Sequence, residues 1–327
     1  MAETRTSAPP AMSLAVWAQL LLLGAIWGGS FFFARIAVQE IAPLTLVLFR
    51  VGIAALALQL YLAARRISFA PAFAHWPAFL LLALVNNVIP FSLMFLGQTE
   101  LGAGAASVLN ATTPFWTIIV ASLFTADEKV SMAKLAGVGL GIAGTAVMVG
   151  PGLFAGLGGP VWAKMALLGM ALSYAFAFVI ARRITGLAPT VVATGQLTAS
   201  SAIMLPLILL LYGPSGLFDA SAGTWSAVFG LALLSTACAY VLYFRIVAAA
   251  GATNASLVTL IVPVSAILLG ALFLGERLEL FEFAGMALIA CGLLVIDGRL
   301  LRRRQDDAAM PKSGLDAASG AKNSTRS

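Results

Sequence analysis

The chain has 327 residues, of which 61% are hydrophobic and only 10% are charged. Soluble domains carry roughly 25% charged residues, so this composition excludes an ordinary soluble fold. The net charge of +6 does not indicate a nucleic-acid partner, because the basic residues stand at the ends of apolar runs and in the C-terminal tail. The runs are long enough to cross a bilayer, as in the uncharged stretch 14–33. The sequence therefore predicts an all-α polytopic membrane protein whose solvent is the lipid bilayer.

Ten apolar segments follow one another along the chain, separated by charged, Gly-rich or Pro-containing breaks. They occupy residues 14–37, 44–64, 76–97, 103–124, 133–150, 162–181, 191–212, 225–247, 254–274 and 281–299. Counts of nine or eleven stay open, because the third and fourth segments run close together through "GQTELGAG". Residues 1–13 are predicted to form a cytoplasmic N-terminal segment, and residues 300–327 a disordered cytoplasmic tail.

The basic residues predict the orientation. If the N-terminus is cytoplasmic, the basic residues near cytoplasmic ends are Arg5, Arg65, Arg66, Lys129, Lys134, Arg182, Arg183, Arg245, Arg299, Arg302, Arg303 and Arg304. Only Arg35, Lys164 and Arg277 then fall near the opposite ends. This bias follows the positive-inside rule, so both termini of a multi-pass protein of the cell (inner) membrane are expected in the cytoplasm.

One passage of the sequence occurs twice. Residues 114–144 are echoed by residues 263–292, with a proline, Leu-Phe, an acidic residue followed by a basic one, and two glycines in the same order. The echo predicts two five-span repeats, 14–150 and 162–299, joined by a linker at 151–161. Because five is odd, the second repeat enters the membrane from the opposite side. Such inverted repeats are typical of secondary transporters, although duplication of a purely structural bundle is an alternative.

Several of these motifs resemble a known family. "WGGSFFFARI" in the first span, "LFRVGIAAL" in the second, and the Ala-Ser, Pro, Leu-Phe, Glu, Gly, Gly pattern of both halves resemble the ten-helix EamA-type transporters of the drug/metabolite transporter superfamily. The resemblance covers about residues 14–299 and is weaker in the sixth to eighth spans. It implies export or exchange of small metabolites through a cavity between the halves. The chain resembles the aromatic and hydrophobic amino-acid exporters more closely still.

Polar residues within the spans are candidates for substrate binding, since each is costly in the bilayer unless it has a partner. Asn86 and Asn87 lie in the middle of the third span. Asn110 lies in the fourth span, and Thr259 is its repeat equivalent in the ninth. These four residues are predicted to contact a small-molecule substrate.

Three prolines are predicted to kink their spans and act in gating: Pro90, Pro114 and Pro263. Proline removes the N–H that would bond the carbonyl four residues earlier. The carbonyls predicted to lose their donor are those of Asn86, Asn110 and Thr259, and a substrate ammonium or hydroxyl would suit them. The alternative is that nearby side chains satisfy the kinks.

Arg50 is the basic residue well inside a span. It would pair with a substrate carboxylate through a bidentate fork, or it would brace neighbouring helices. The structural role is favoured, because the arginine belongs to the pattern of a family that carries different substrates. Its counterpart in the second repeat is Gln196.

Aromatic residues near mid-membrane complete the predicted substrate site. Buried aromatics mostly pack, but together they would wall a cavity for flat or apolar side chains. The candidates are Trp27, Trp116, Tyr174 and Tyr240, with Phe176 and Tyr243 nearby.

Acidic residues are missing from the centre of every predicted span. A buried carboxylate is a common coupling group in ion-driven carriers, so facilitated transport or exchange is favoured. No catalytic residue, cofactor or metal site is expected, since the single histidine, His75, lies at a span end and no acid pair lies at depth. The sequence predicts an alternating-access carrier of aromatic or other partly apolar amino acids. A proton-coupled multidrug exporter or a lipid flippase is the alternative, and protein partners are unknown.

Overall fold

A computed structural model describes residues 13–124, 132–155, 159–215, 217–251, 255 and 257–297. Within these residues the chain is helical and contains no strand. The ten consecutive spans are Leu14–Ala37, Pro43–Ala64, Ala70–Glu100, Ala103–Phe124, Met132–Ala155, Val161–Ala181, Pro189–Tyr212, Ala222–Ala250, Val258–Leu274 and Leu280–Asp297. By length and composition, 7 of the described helices suffice to cross a membrane, and shorter apolar helices lie in the fifth, ninth and tenth spans. The prediction of an all-α polytopic membrane protein is confirmed.

Some predicted bounds change. The third span begins with a 3₁₀ turn at Ala70 and continues to Glu100, beyond the predicted 76–97. The fifth span continues to Ala155, into the segment predicted as a linker. Residues 1–12, position 254, and the predicted tail together with 298–299 lie outside the described residues.

The fourth span consists of two helices, Ala103–Asn110 and Thr113–Phe124. Its break lies just before Pro114, which has no N–H to continue the helical ladder. The N–H of Ala111 accordingly reaches back to the carbonyls of residues 107 and 108 in a tightened turn. The span is therefore bent near its middle.

Loops that follow the odd-numbered spans meet at one end of the bundle, which is the end predicted to lie outside. The carboxylate of Glu40, after the first span, accepts the N–H and hydroxyl of Ser221, after the seventh, over 2.7 and 2.8 Å. Together with Thr224, these bonds hold the pKa of Glu40 below its usual range. Arg35 Nη1 donates to the carbonyls of Gln98 and Thr99 at the end of the third span. This arrangement is the one that ten alternating spans require.

Glu276 joins the two repeats at the same end. Its carboxylate oxygens accept the N–H groups of Ala103 and Gly104 over 2.8 and 3.2 Å. These N–H groups belong to the first turn of the fourth span, where a helix has no backbone acceptors of its own. A loop of the second repeat therefore caps a helix of the first.

Replacing Glu276 by alanine is expected to lower the free energy of unfolding by about 1–2 kcal/mol, because two helix-terminal N–H groups lose their acceptor. Thermal unfolding of the purified protein in detergent measures the change. Glu279→Ala is the matched control, since Glu279 lies in the same loop and is exposed. Equal destabilisation by both changes would contradict the capping role.

The fifth and tenth spans cross at glycines related by the repeat. A Cβ atom added to Gly137 would lie 2.7 Å from the carbonyl oxygen of Gly292, and one added to Gly144 would lie 2.7 Å from that of Gly285. Gly137 and Gly285 are repeat equivalents, and so are Gly144 and Gly292. The two contacts are therefore counterparts, and the two-fold axis that relates the inverted repeats passes between these spans.

Small residues also let the first span pack closely on the ninth. Cβ atoms at Gly24 and Gly28 would collide with Ile261 and Ser265. Ser265 Oγ donates to the carbonyl of Gly24 over 2.8 Å. Such close approach of backbones is the usual means of helix association in lipid, where apolar surface gains nothing by leaving the solvent.

Candidate functional site

Two hydrogen bonds cross the centre of the bundle between the repeats. Arg50 of the second span donates through Nε to Thr236 Oγ1 of the eighth, over 3.1 Å. Asn86 of the third span donates through Nδ2 to Gln196 Oε1 of the seventh, over 2.8 Å. The second and seventh spans are repeat equivalents, and so are the third and eighth, so both bonds join equivalent spans, one at Arg50 and one at its counterpart Gln196. They bring polar groups to the repeat interface, where carriers with inverted repeats bind their substrates.

A π-helical segment interrupts each of the spans that supply Asn86 and Thr236. These segments are Leu84–Val88 and Gly230–Cys238. A π-turn inserts one residue into the helix and frequently marks a functional site. The repeat equivalence of the two segments indicates that both halves use the same distortion to orient their polar side chains.

Pro90 follows the first π-segment, and its effect differs from the predicted one. In a regular α-helix, Pro90 would leave the carbonyl of Asn86 without a donor. Here the backbone bonds reach five residues back, so the affected carbonyl is that of Val85. That carbonyl accepts the hydroxyl of Ser173 over 2.7 Å. The kink is therefore satisfied by the sixth span.

The guanidinium of Arg50 is buried, with only 6% of the residue exposed. Its Cζ lies 3.7 Å from the centroid of the Phe91 ring in a cation–π contact. Nη1 faces the sulfur of Met94, a weak acceptor, at 3.8 Å. A guanidinium has five N–H donors, and the hydroxyl of Thr236 is the oxygen that Arg50 reaches within the described part of the chain. The other donors are free to bind an anion.

Two half-buried tyrosines lie beside this arginine. Tyr174 of the sixth span and Tyr240 of the eighth are within electrostatic range of the guanidinium. The Tyr240 hydroxyl also lies beside the Asn86 and Gln196 side chains. Tyr240 therefore joins the two crossing hydrogen bonds into one polar group. We call this group the midplane cluster, and its members are Arg50, Asn86, Tyr174, Gln196, Thr236 and Tyr240.

An aromatic wall extends from the midplane cluster. Tyr240 stacks on Phe244 with ring centroids 6.1 Å apart. Phe244 contacts Tyr243 at 5.6 Å, and Tyr243 contacts Trp27 of the first span at 5.4 Å. All four rings are half-buried. The polar cluster and a flat apolar surface therefore adjoin, and two predicted site residues, Trp27 and Tyr240, lie in this wall.

Asn87 lies behind the midplane cluster and is 0% exposed. Its Nδ2 donates to Ser200 Oγ over 3.0 Å, and that hydroxyl donates to the carbonyl of Gln196 over 2.7 Å. These bonds tie the third span to the seventh. The geometry gives Asn87 a bracing role beside the half-buried Asn86.

Asn110 and Pro114 occupy the bend of the fourth span. Asn110 is half-buried, and its carbonyl accepts the hydroxyl of Thr113 over 2.7 Å. The carbonyl that Pro114 was predicted to free is therefore satisfied locally. Side-chain hydroxyls commonly satisfy proline kinks in membrane helices in this way.

Three further predicted site residues are Trp116, Thr259 and Pro263. Trp116 packs in a separate apolar cluster of the fourth and sixth spans, whose buried members are Val120, Ala121, Ala175 and Val179. Thr259 is half-buried near the start of the ninth span, and Pro263 is buried within that helix without ending it.

Sequence reasoning missed several contributors. Thr236, Phe91 and Tyr243 were not predicted as primary site residues, and Gln196 was noted only as the counterpart of Arg50. The repeat itself carried the signal for Thr236, because the equivalent of the Asn86–Asn87 pair is Ser235–Thr236.

Comparison with known proteins decides the family. The profile of the EamA-like transporter family matches residues 15–150 and again residues 161–297. The chain belongs to the EamA-like transporter family. Each repeat matches separately, so the resemblance noted in the sequence is confirmed, and the protein is a membrane transporter.

Relatives of this EamA-like transporter are named as transporters. It is 25% identical to the uncharacterized transporter YoaV of Bacillus subtilis, over 85% of this chain and 95% of that protein. It is 27% identical to a probable terminal-alkyne amino-acid exporter of Streptantibioticus cattleyicolor, over 90% of this chain and 97% of that protein. It is 28% identical to the uncharacterized inner membrane transporter YedA of Escherichia coli, over 86% of this chain and 90% of that protein.

A solved crystal structure shares the fold of this EamA-like transporter. It superimposes with a TM-score of 0.62 at 23% identity, over 89% of this chain and 99% of that one. At this identity the likeness concerns the fold alone.

Proposed function

We propose that this EamA-like transporter carries α-amino acids with aromatic or other partly apolar side chains, by alternating access between its repeats. The observation that carries the proposal is the buried Arg50 guanidinium at the repeat interface, which has donors left for an anion. A carboxylate fits such a fork with two parallel hydrogen bonds. The site holds one guanidinium, which suits a substrate with one carboxylate.

The aromatic wall supports the choice of side chain. Trp27, Tyr243 and Phe244 offer flat apolar surface next to the polar cluster, and aromatic or aliphatic side chains pack well against such rings. The relative from Streptantibioticus, named a probable terminal-alkyne amino-acid exporter, supports both the substrate class and export.

The acidic residues favour facilitated transport or exchange. Among the described residues, the buried carboxylate is Glu282, at the start of the tenth span. It accepts the N–H of Glu279 over 2.8 Å and interacts with Lys164. Glu282 is thus committed to helix capping, and no carboxylate of the described chain interacts with Arg50.

Contacts at the predicted outer end must break during alternating access. Glu276 and Glu40 tie the two repeats together there, through Ala103 and Ser221 respectively. We propose that rocking of one repeat against the other releases them and exposes the midplane cluster to that side.

The test is uptake of labelled L-phenylalanine into sealed liposomes that contain the purified protein, without an imposed ion gradient. Saturable uptake that unlabelled L-phenylalanine stops, and that protein-free liposomes lack, is the expected result. Uptake that appears only with a proton gradient would favour the coupled exporter. Scrambling of labelled phospholipid without amino-acid uptake would favour the flippase.

A further inference from the structure

We infer that Asn86 and Tyr240 bind the ammonium group of the substrate, and that Gln196 positions Asn86 for this task. The inference rests on the proposed function, in which Arg50 takes the carboxylate. An α-amino acid carries its ammonium and carboxylate on neighbouring carbon atoms. The group that binds the ammonium must therefore lie close to Arg50, and it must offer oxygen acceptors.

Gln196 determines which way the Asn86 amide faces. Gln196 is 4% exposed, and its Oε1 accepts Asn86 Nδ2 over 2.8 Å. An asparagine amide carries its two donors on one atom and its acceptor on the other. Because the donor end is held by the buried Gln196, the acceptor Oδ1 faces away from the seventh span. Asn86 is itself half-buried, so the residue is not closed off from a ligand.

Tyr240 supplies the second acceptor. Its hydroxyl lies beside the Asn86 and Gln196 side chains. It also follows Thr236, the acceptor of Arg50 Nε, by four residues on the eighth span. The carboxylate-binding and ammonium-binding groups are therefore neighbours. The stacked rings of Tyr240 and Phe244 also present aromatic faces, which attract a cation electrostatically.

The repeat explains why Gln196 has this role. Arg50 and Gln196 occupy equivalent positions, and each makes a hydrogen bond to the other half. One is a cation that only donates, and the other presents a neutral acceptor. The symmetric backbone thus carries an asymmetric pair of groups, which matches a ligand with one anionic and one cationic end.

The experiment compares ligands that differ by one group. L-Phenylalanine has both groups, whereas 3-phenylpropionate lacks the amine. Apparent Kd values come from the ligand-induced rise in unfolding temperature of the full chain in detergent. The variant is Gln196→Met, which removes the acceptor and keeps the volume. Gln59→Met is the matched control, because Gln59 makes a comparable bond to Thr198 between the second and seventh spans, over 3.2 Å.

Gln196→Met is expected to lower the affinity for L-phenylalanine by about tenfold, which is the usual effect of losing a hydrogen bond to a charged group. The affinity for 3-phenylpropionate should stay within about threefold, since that ligand has no ammonium to lose. Gln196→Glu should restore the preference for L-phenylalanine, because it keeps an acceptor for Asn86. Gln59→Met should change neither affinity.

Two results would overturn the inference. If Gln196→Met lowers the affinities for both ligands equally, Gln196 is a structural brace. If the affinity for L-phenylalanine is unchanged, Gln196 does not position Asn86 for binding. If Gln196→Met does not fold, Tyr240→Phe removes the second acceptor and must show the same selective loss. Failure of the wild type to bind either ligand would instead defeat the proposed function, and this inference with it.

Discussion

Replacing Arg50 by glutamine is expected to abolish saturable uptake of L-phenylalanine while the protein still folds. Glutamine keeps a donor toward Thr236 but lacks the charge and the planar fork of arginine. Two charge-assisted hydrogen bonds to a carboxylate contribute roughly 1.5–3 kcal/mol each, so their loss corresponds to about a hundredfold or more in apparent affinity. Uptake into proteoliposomes over a range of substrate concentrations measures the effect.

Arg50→Lys separates charge from geometry. Lysine keeps the positive charge but loses the bidentate fork and the stack on Phe91. Uptake of L-phenylalanine is therefore expected to lie between that of the wild type and that of Arg50→Gln. Arg65→Gln makes the same chemical change as Arg50→Gln at the exposed end of the same span and should leave uptake unchanged.

A second ligand distinguishes recognition from bracing. 2-Phenylethylamine has no carboxylate, so Arg50→Gln should impair its uptake little. If uptake of both ligands falls equally, Arg50 holds the second, third and eighth spans together and does not recognise the substrate. The amino-acid proposal would then lose its main support.

The spans were predictable because each is an apolar run bounded by charges, glycine or proline. The distortions inside them were not. Nothing in the composition of Leu84–Val88 distinguishes a π-segment from an α-helix, and the hydroxyl that satisfies its Val85 carbonyl comes from Ser173 of another span. Likewise, the extension of the fifth span to Ala155 passes a proline that normally ends a helix.

The candidate site was predictable in part, because polar residues stand out within apolar spans. Arg50, Asn86 and Tyr240 are conspicuous because polar groups are costly in lipid, and the structure brings these three together. Asn110 was singled out by its proline, but the hydroxyl of Thr113 satisfies the freed carbonyl. Gln196 became informative only when its partner was known, since hydrogen-bond partners between distant spans follow from packing.

Replacing Gly137 by alanine is expected to destabilise the protein by on the order of 1–3 kcal/mol or more, the usual effect of overpacking a tight contact. The added Cβ would lie 2.7 Å from the Gly292 carbonyl oxygen and 2.5 Å from Ile296 Cγ1. A carbonyl of the facing backbone cannot rotate away as a flexible side chain can, so the fifth and tenth spans must separate. Thermal unfolding in detergent measures the loss.

Gly139→Ala is the matched control, because it lies on the same helix and a Cβ there meets nothing within 4 Å. It should be neutral or slightly stabilising, since alanine favours helix over glycine. Gly292→Ala should destabilise like Gly137→Ala, with its Cβ 2.6 Å from the Gly137 carbonyl oxygen. The double variant should lose less unfolding free energy than the two single variants lose together, because one separation of the spans relieves both clashes. Full additivity, or equal effects at Gly137 and Gly139, would mean that this crossing does not set the distance between the repeats.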